Sequence, residues 1–63
     1  MDDKSLQQSI IDELDFDPSI NAAHIGVAVD RGIVTLSGHV HSYMEKLSVE
    51  AAVRRVKGVR GIA

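Results

Sequence analysis

The hydrophobic positions change period along the 63-residue chain, and each change marks an element. Leu6, Ile10, Ile11 and Leu14 recur at helical spacing, with Gln7, Gln8, Asp12 and Glu13 off the stripe, which predicts one amphipathic helix. Asp2 and Asp3 each offer a carboxylate to the free N–H groups of its first turn. Asp17-Pro18 stops the helix, because the residue before a proline is pushed out of the helical region. Phe16, just inside that stop, is expected to fold back onto the core, and Ser19 to Ala23 to form a short polar connection.

From His24 the period falls to two. Ile25, Val27 and Val29 face one way and His24, Gly26 and Ala28 the other, as in a half-buried strand. Asp30-Arg31-Gly32 reads as a turn in which Gly32 supplies a positive φ. A second strand puts Val34, Leu36, Gly38 and Val40 on its apolar side, opposite Ile33, Thr35, Ser37 and His39. Ser42-x-x-Glu45 is a capping box that opens a second helix. At about 100° per residue, Ser48, Val49, Ala52, Val53 and Val56 gather on its core arc. Arg54, Arg55 and Lys57 suit the negative end of the helix dipole. Gly58 is expected as a left-handed C-cap, and Val59 to Ala63 as the opening of a third strand.

Neither helix buries its stripe without a sheet, and a hairpin is not stable alone. The order therefore predicts an α+β fold, an αββαβ sandwich with two helices on one face of a small three-stranded mixed sheet. The helical crossover makes the second and third strands parallel. Residues 1–63 form a single domain.

Composition narrows the chemistry. A chain this short buries only about 60% of the surface its unfolded form exposes, so an enclosed substrate cavity is not expected. With no cysteine there is no disulfide and no thiolate metal site. One phenylalanine, one tyrosine and no tryptophan argue against a base-stacking nucleic-acid platform. No apolar run approaches a transmembrane span, and Met1-Asp2-Asp3-Lys4 is not a signal-peptide start, so the chain as written reads as soluble and unexported. The net charge of −2 hides a division. Asp2, Asp3, Asp12, Glu13, Asp15 and Asp17 crowd the start, while Lys46, Arg54, Arg55, Lys57 and Arg60 crowd the end, so the halves either attract each other or leave a basic surface for an anionic one.

No catalytic set emerges. Ser37 and His39 have no orienting carboxylate, and Gly32, Gly38 and Gly58 do not make a phosphate loop, so an enzyme is not expected. His39 and His41 share a strand face, where two imidazoles can hold one divalent metal, but His24 would have to converge from across the hairpin and no acidic partner stands near; the three read as exposed residues at a strand end, and no metal or other cofactor is assigned. The acidic Asp12 to Asp17 segment lacks calcium-loop spacing. The second helix carries something less ordinary. Met44, Leu47 and Ala51 lie opposite its core arc, with Tyr43 before them and Arg54 and Arg55 beside them. Apolar side chains bordered by positive charge mark the candidate interaction surface.

The run Ile25-x-Val27-x-Val29-x-x-Gly32-Ile33-Val34-x-Leu36-x-Gly38-x-Val40, followed by Val56-x-Gly58-Val59, resembles the BON domain. The segment Leu14 to Ile20 resembles the piece that precedes that family's first strand. The likeness covers nearly the whole chain. It implies the αββαβ fold and a binding role in bacterial osmotic-stress, nodulation or envelope proteins, at phospholipid surfaces or against sister domains. It also implies a periplasmic or envelope location and no shared catalytic residues. The family's third strand runs past the equivalent of Ile62, so the chain is expected to be the first module of a longer protein. Two functions follow: a non-enzymatic binding module of BON type, and, as the alternative, a small cation-responsive ligand-sensing domain built on the acidic first helix.

Overall fold

The computed structural model describes residues 2–63. Its elements are α1 (Asp3–Phe16), a 3-10 turn (Ala22–His24), β1 (Ile25–Asp30), β2 (Ile33–Gly38), α2 (Tyr43–Arg55) and β3 (Gly61–Ile62). The sheet order is β1-β2-β3, with β1 antiparallel and β3 parallel to β2, which is the predicted α+β architecture.

The two N-terminal aspartates divide their work. The Asp2 carboxylate caps α1, accepting the Ser5 N–H at 2.7 Å. Asp3 instead reaches the hairpin turn, accepting the Arg31 N–H at 3.0 Å and the Gly32 N–H at 3.4 Å. Gln7 adds a second tie between α1 and the hairpin, its Nε2 donating to the Val27 carbonyl at 2.7 Å. The turn needs this support. Arg31 (φ 55°) and Gly32 (φ 83°) are both left-handed, the backbone a two-residue hairpin loop uses to match strand twist, and arginine adopts it at a cost.

The hairpin register pairs Val27 with Leu36 and Val29 with Val34, so the inward side chains of both strands meet on one face. Leu6, Ile10 and Leu14 from α1, Ile20, Val34, and Val49, Ala52 and Val53 from α2 make the buried core. α1 lies along β1, and α2 packs chiefly on α1. At the far end of β2 the chain is hooked. Gly38 has φ +110°, and a Cβ there would lie inside contact distance of the His24 carbonyl oxygen, which accepts the His39 N–H at 3.1 Å. Only glycine fits that approach.

Several expectations are corrected. Phe16 is 86% exposed. It follows Leu14 by two residues, about 200° round the helix, and therefore points away from the core. Ile20, in the segment expected to be polar, is buried and closes the core beneath the end of α1. The path to β1 contains a 3-10 turn. Val40 lies beyond the end of β2 and is exposed, because the Gly38 hook has already turned the chain. α2 ends at Arg55 with Val56 as its C-cap, so Gly58 (φ 106°) sits in the following turn and does not cap the helix directly. β3 is confined to Gly61 and Ile62, flanked by Arg60 N–H to Gly32 O and Ala63 N–H to Val34 O, both 2.8 Å.

Candidate functional site

α2 begins with half of the expected capping box. Ser42 Oγ accepts the Glu45 N–H at 3.1 Å, and the Glu45 carboxylate accepts the His41 N–H at 3.1 Å, one residue before the cap. With Val49, Ala52 and Val53 fixed inward, helical geometry turns Tyr43, Met44, Leu47 and Ala51 outward. Tyr43 is 69%, Met44 71% and Leu47 42% exposed, and Ala51 is exposed as well. The stripe expected from the wheel thus faces solvent along the length of α2.

Its cations stand where the stripe needs them. Arg54 and Arg55 are exposed at the C-terminal end. Arg54 Nη2 lies 3.7 Å from the Glu50 carboxylate, and Arg55 Nε 3.5 Å from the Glu13 carboxylate of α1. The second pair joins the acidic and basic halves of the sequence within the fold. Exposed pairs of this kind contribute about 0–1 kcal/mol, so both guanidinium groups exchange partners readily. At the other end, Lys46 Nζ sits 5.9 Å from the centre of the Tyr43 ring.

Phe16 is exposed, although its hydrophobicity placed it in the core. It follows Glu13 by three residues, and side chains three apart are neighbours on a helix. Phe16 is therefore a solvent-exposed aromatic side chain on α1, one turn from Glu13, which pairs with Arg55 of α2. The signal was available in its angle to Leu14.

The other candidate groups have local partners. Asp12 accepts from Gln8 Nε2 at 2.9 Å. Asp17 accepts from the Ser19 hydroxyl at 2.7 Å and the Ser19 N–H at 2.9 Å, which holds its carboxyl below the ordinary value of 3.8. Of the histidines, His24 and His41 come together, ring centres 6.3 Å apart and nearly perpendicular. His39 joins the group through its backbone bond to His24. Among the described residues no three histidine, cysteine or acidic side chains gather around a metal-sized site. Among the described residues no helix is long and apolar enough to cross a membrane.

A two-helix layer on a three-stranded mixed sheet, presenting an apolar stripe rimmed with cations, defines a small α+β module built around a surface. The BON domain family model matches residues 2–63, and the chain belongs to that family, whose members are osmotic-stress and envelope-associated proteins. No curated protein matches the chain.

Proposed function

We propose that the domain is a non-enzymatic binding module that lays the outer face of α2 on an anionic phospholipid surface. The observation that carries this reading is the outward Tyr43–Met44–Leu47–Ala51 stripe with Lys46, Arg54 and Arg55 at its borders. Apolar side chains on a helix already anchored by its inner face have no burial to gain within the domain. At a lipid surface each recovers about 25 cal/mol per Å² removed from water. Each basic residue near anionic headgroups adds about 1 kcal/mol, attenuated by salt. The side chains of Arg54 and Arg55 give up only weak pairs to reach phosphate.

Co-sedimentation with vesicles tests it. The domain is expected to pellet with vesicles containing phosphatidylglycerol, to stay in solution with phosphatidylcholine alone, and to be released by high salt. Leu47→Asp is expected to remain in the supernatant throughout. Absence of pelleting by either vesicle, or equal pelleting of Leu47→Asp, sinks the lipid reading. A dimer in solution that Leu47→Asp converts to monomer would give the same face to a sister domain.

A further inference from the structure

All three histidines of the chain lie in or beside the hook that ends β2. The hairpin register pairs Ile25 with Gly38, so His24 and His39 come next on their strands, and the His39 N–H donates to the His24 carbonyl. At Gly38 the backbone takes a φ of 110° and leaves the strand path. Regular alternation would have kept His39 and His41 on one face. The hook instead brings the His41 ring to His24, with ring centres 6.3 Å apart and planes 85° apart. The convergence that the spacing of His39 and His41 alone does not provide is supplied by the turn between them and β2.

Two imidazoles that share one metal through bonds of about 2.0–2.1 Å have their centres about 5 Å apart at a tetrahedral angle and about 6 Å apart when trans. The observed spacing matches a trans pair, and rotation of exposed side chains closes it toward the tetrahedral one. Both backbones are already fixed. His24 is tied through its carbonyl to His39, and the His41 N–H donates to the Glu45 carboxylate at 3.1 Å. That carboxylate also places a negative charge beside the pair, offsetting the positive end of α2 that begins just beyond it.

We infer that His24 and His41 form a two-imidazole site for a divalent transition metal, with water completing the shell. Among the described residues no third histidine, cysteine or acidic side chain joins them, so the protein supplies two ligands. Imidazole nitrogen suits Cu²⁺, Ni²⁺ and Zn²⁺, with Cu²⁺ bound most tightly, whereas Mg²⁺ and Ca²⁺ require oxygen ligands. The bound ion links the start of β1 to the segment that leads into α2, across the hook. The unfolded chain does not hold these rings together, so the metal stabilises the folded state. Neither ring belongs to the outer stripe of α2, and the site stands whether or not that face binds lipid.

The test titrates Zn²⁺ alone into the untagged, ¹⁵N-labelled domain. Saturable shifts are expected in the ring signals of His24 and His41, and Mg²⁺ is expected to move neither. Cu²⁺ is expected to compete Zn²⁺ from the site. At ten times the dissociation constant of Zn²⁺ the thermal midpoint is expected to rise by about 5–10 °C. His24→Gln and His41→Gln are each expected to weaken binding about tenfold or more, with the metal-free midpoint unchanged because the hook's bond is made by the backbone. His39→Gln is the control and is expected to bind as the parent does. The proposal is overturned if Zn²⁺ gives no saturable ring shift or no rise in midpoint, or if His39→Gln loses as much affinity as His24→Gln. A Zn²⁺-induced dimer would mean that rings from two copies share the ion, and would overturn it too.

Discussion

Replacing Gly38 by alanine tests the hook that ends β2. The new Cβ would be driven into the His24 carbonyl group, its carbon only 3.0 Å away, at a backbone φ of +110° that side-chain-bearing residues rarely adopt. Holding a non-glycine residue in such a conformation costs about 1–3 kcal/mol. Relieving it moves the His24 carbonyl away from the His39 N–H, which loses a hydrogen bond worth about 1 kcal/mol net. The sum is about 2–4 kcal/mol. At about 0.05–0.15 kcal/mol per residue, the whole domain has about 3–9 kcal/mol of stability, so the variant forfeits a large part of it. At about 4–8 °C per kcal/mol the thermal midpoint drops by roughly 10–30 °C. Thermal and urea unfolding followed by far-ultraviolet circular dichroism reads both quantities. Gly61→Ala is the control: its Cβ meets only the end of the Ile33 side chain at 3.4 Å, and a change within about 0.5 kcal/mol is expected. A Gly38→Ala domain as stable as the Gly61→Ala control would refute the strained-hook account.

Arg31→Asn is expected to stabilise the domain by about 0.5–1 kcal/mol, since asparagine tolerates the left-handed turn position better than arginine, and urea midpoints decide it. Val53→Ala, at a fully buried position, is expected to cost about 2–3 kcal/mol through lost methyl burial and the space left behind. Leu47→Asp on the outer face is expected to change stability by less than about 0.5 kcal/mol, and an equal loss in both variants would place Leu47 in the core. The carboxyl groups of Asp2 and Asp17 are held below their ordinary value of 3.8, first by the Ser5 N–H and by the Ser19 hydroxyl respectively. A depressed folded-state value means the contribution is present above about pH 4 and lost as pH falls through the folded values. The urea midpoint should therefore decline below about pH 4, and Asp2→Ala should make that decline shallower.

Periodicity exposed most of this fold because the decisive residues are apolar and regularly spaced. The hairpin's Ile25, Val27 and Val29 against Val34 and Leu36, and the Val49, Ala52 and Val53 arc, occupy the faces their spacing dictates. The outer α2 stripe was legible for the same reason, as the complement of that arc. What escaped was set by tertiary geometry. Ile20 sits in a stretch with no period to betray it, and its burial depends on where the chain passes under α1. Phe16 was read by hydrophobicity when its helical angle was the better guide. Gly38 was read as part of a strand face, whereas the close approach of His24, fourteen residues earlier, determines its role. The division of labour between Asp2 and Asp3 depends on a turn twenty-eight residues downstream.

The Asp3 bridge has a consequence for how this domain can be altered. Hairpin tips are ordinarily the places where a chain tolerates inserted residues or cleavage, since little depends on them. Here the Arg31 and Gly32 amides are held by the first turn of α1, and Gly32 is buried under Arg60. Added residues at that tip would detach the start of the first helix from the sheet. The exposed Val40, between the His39 N–H that closes the hook and the His41 and Ser42 groups that cap α2, is the better place for a tag or an insertion.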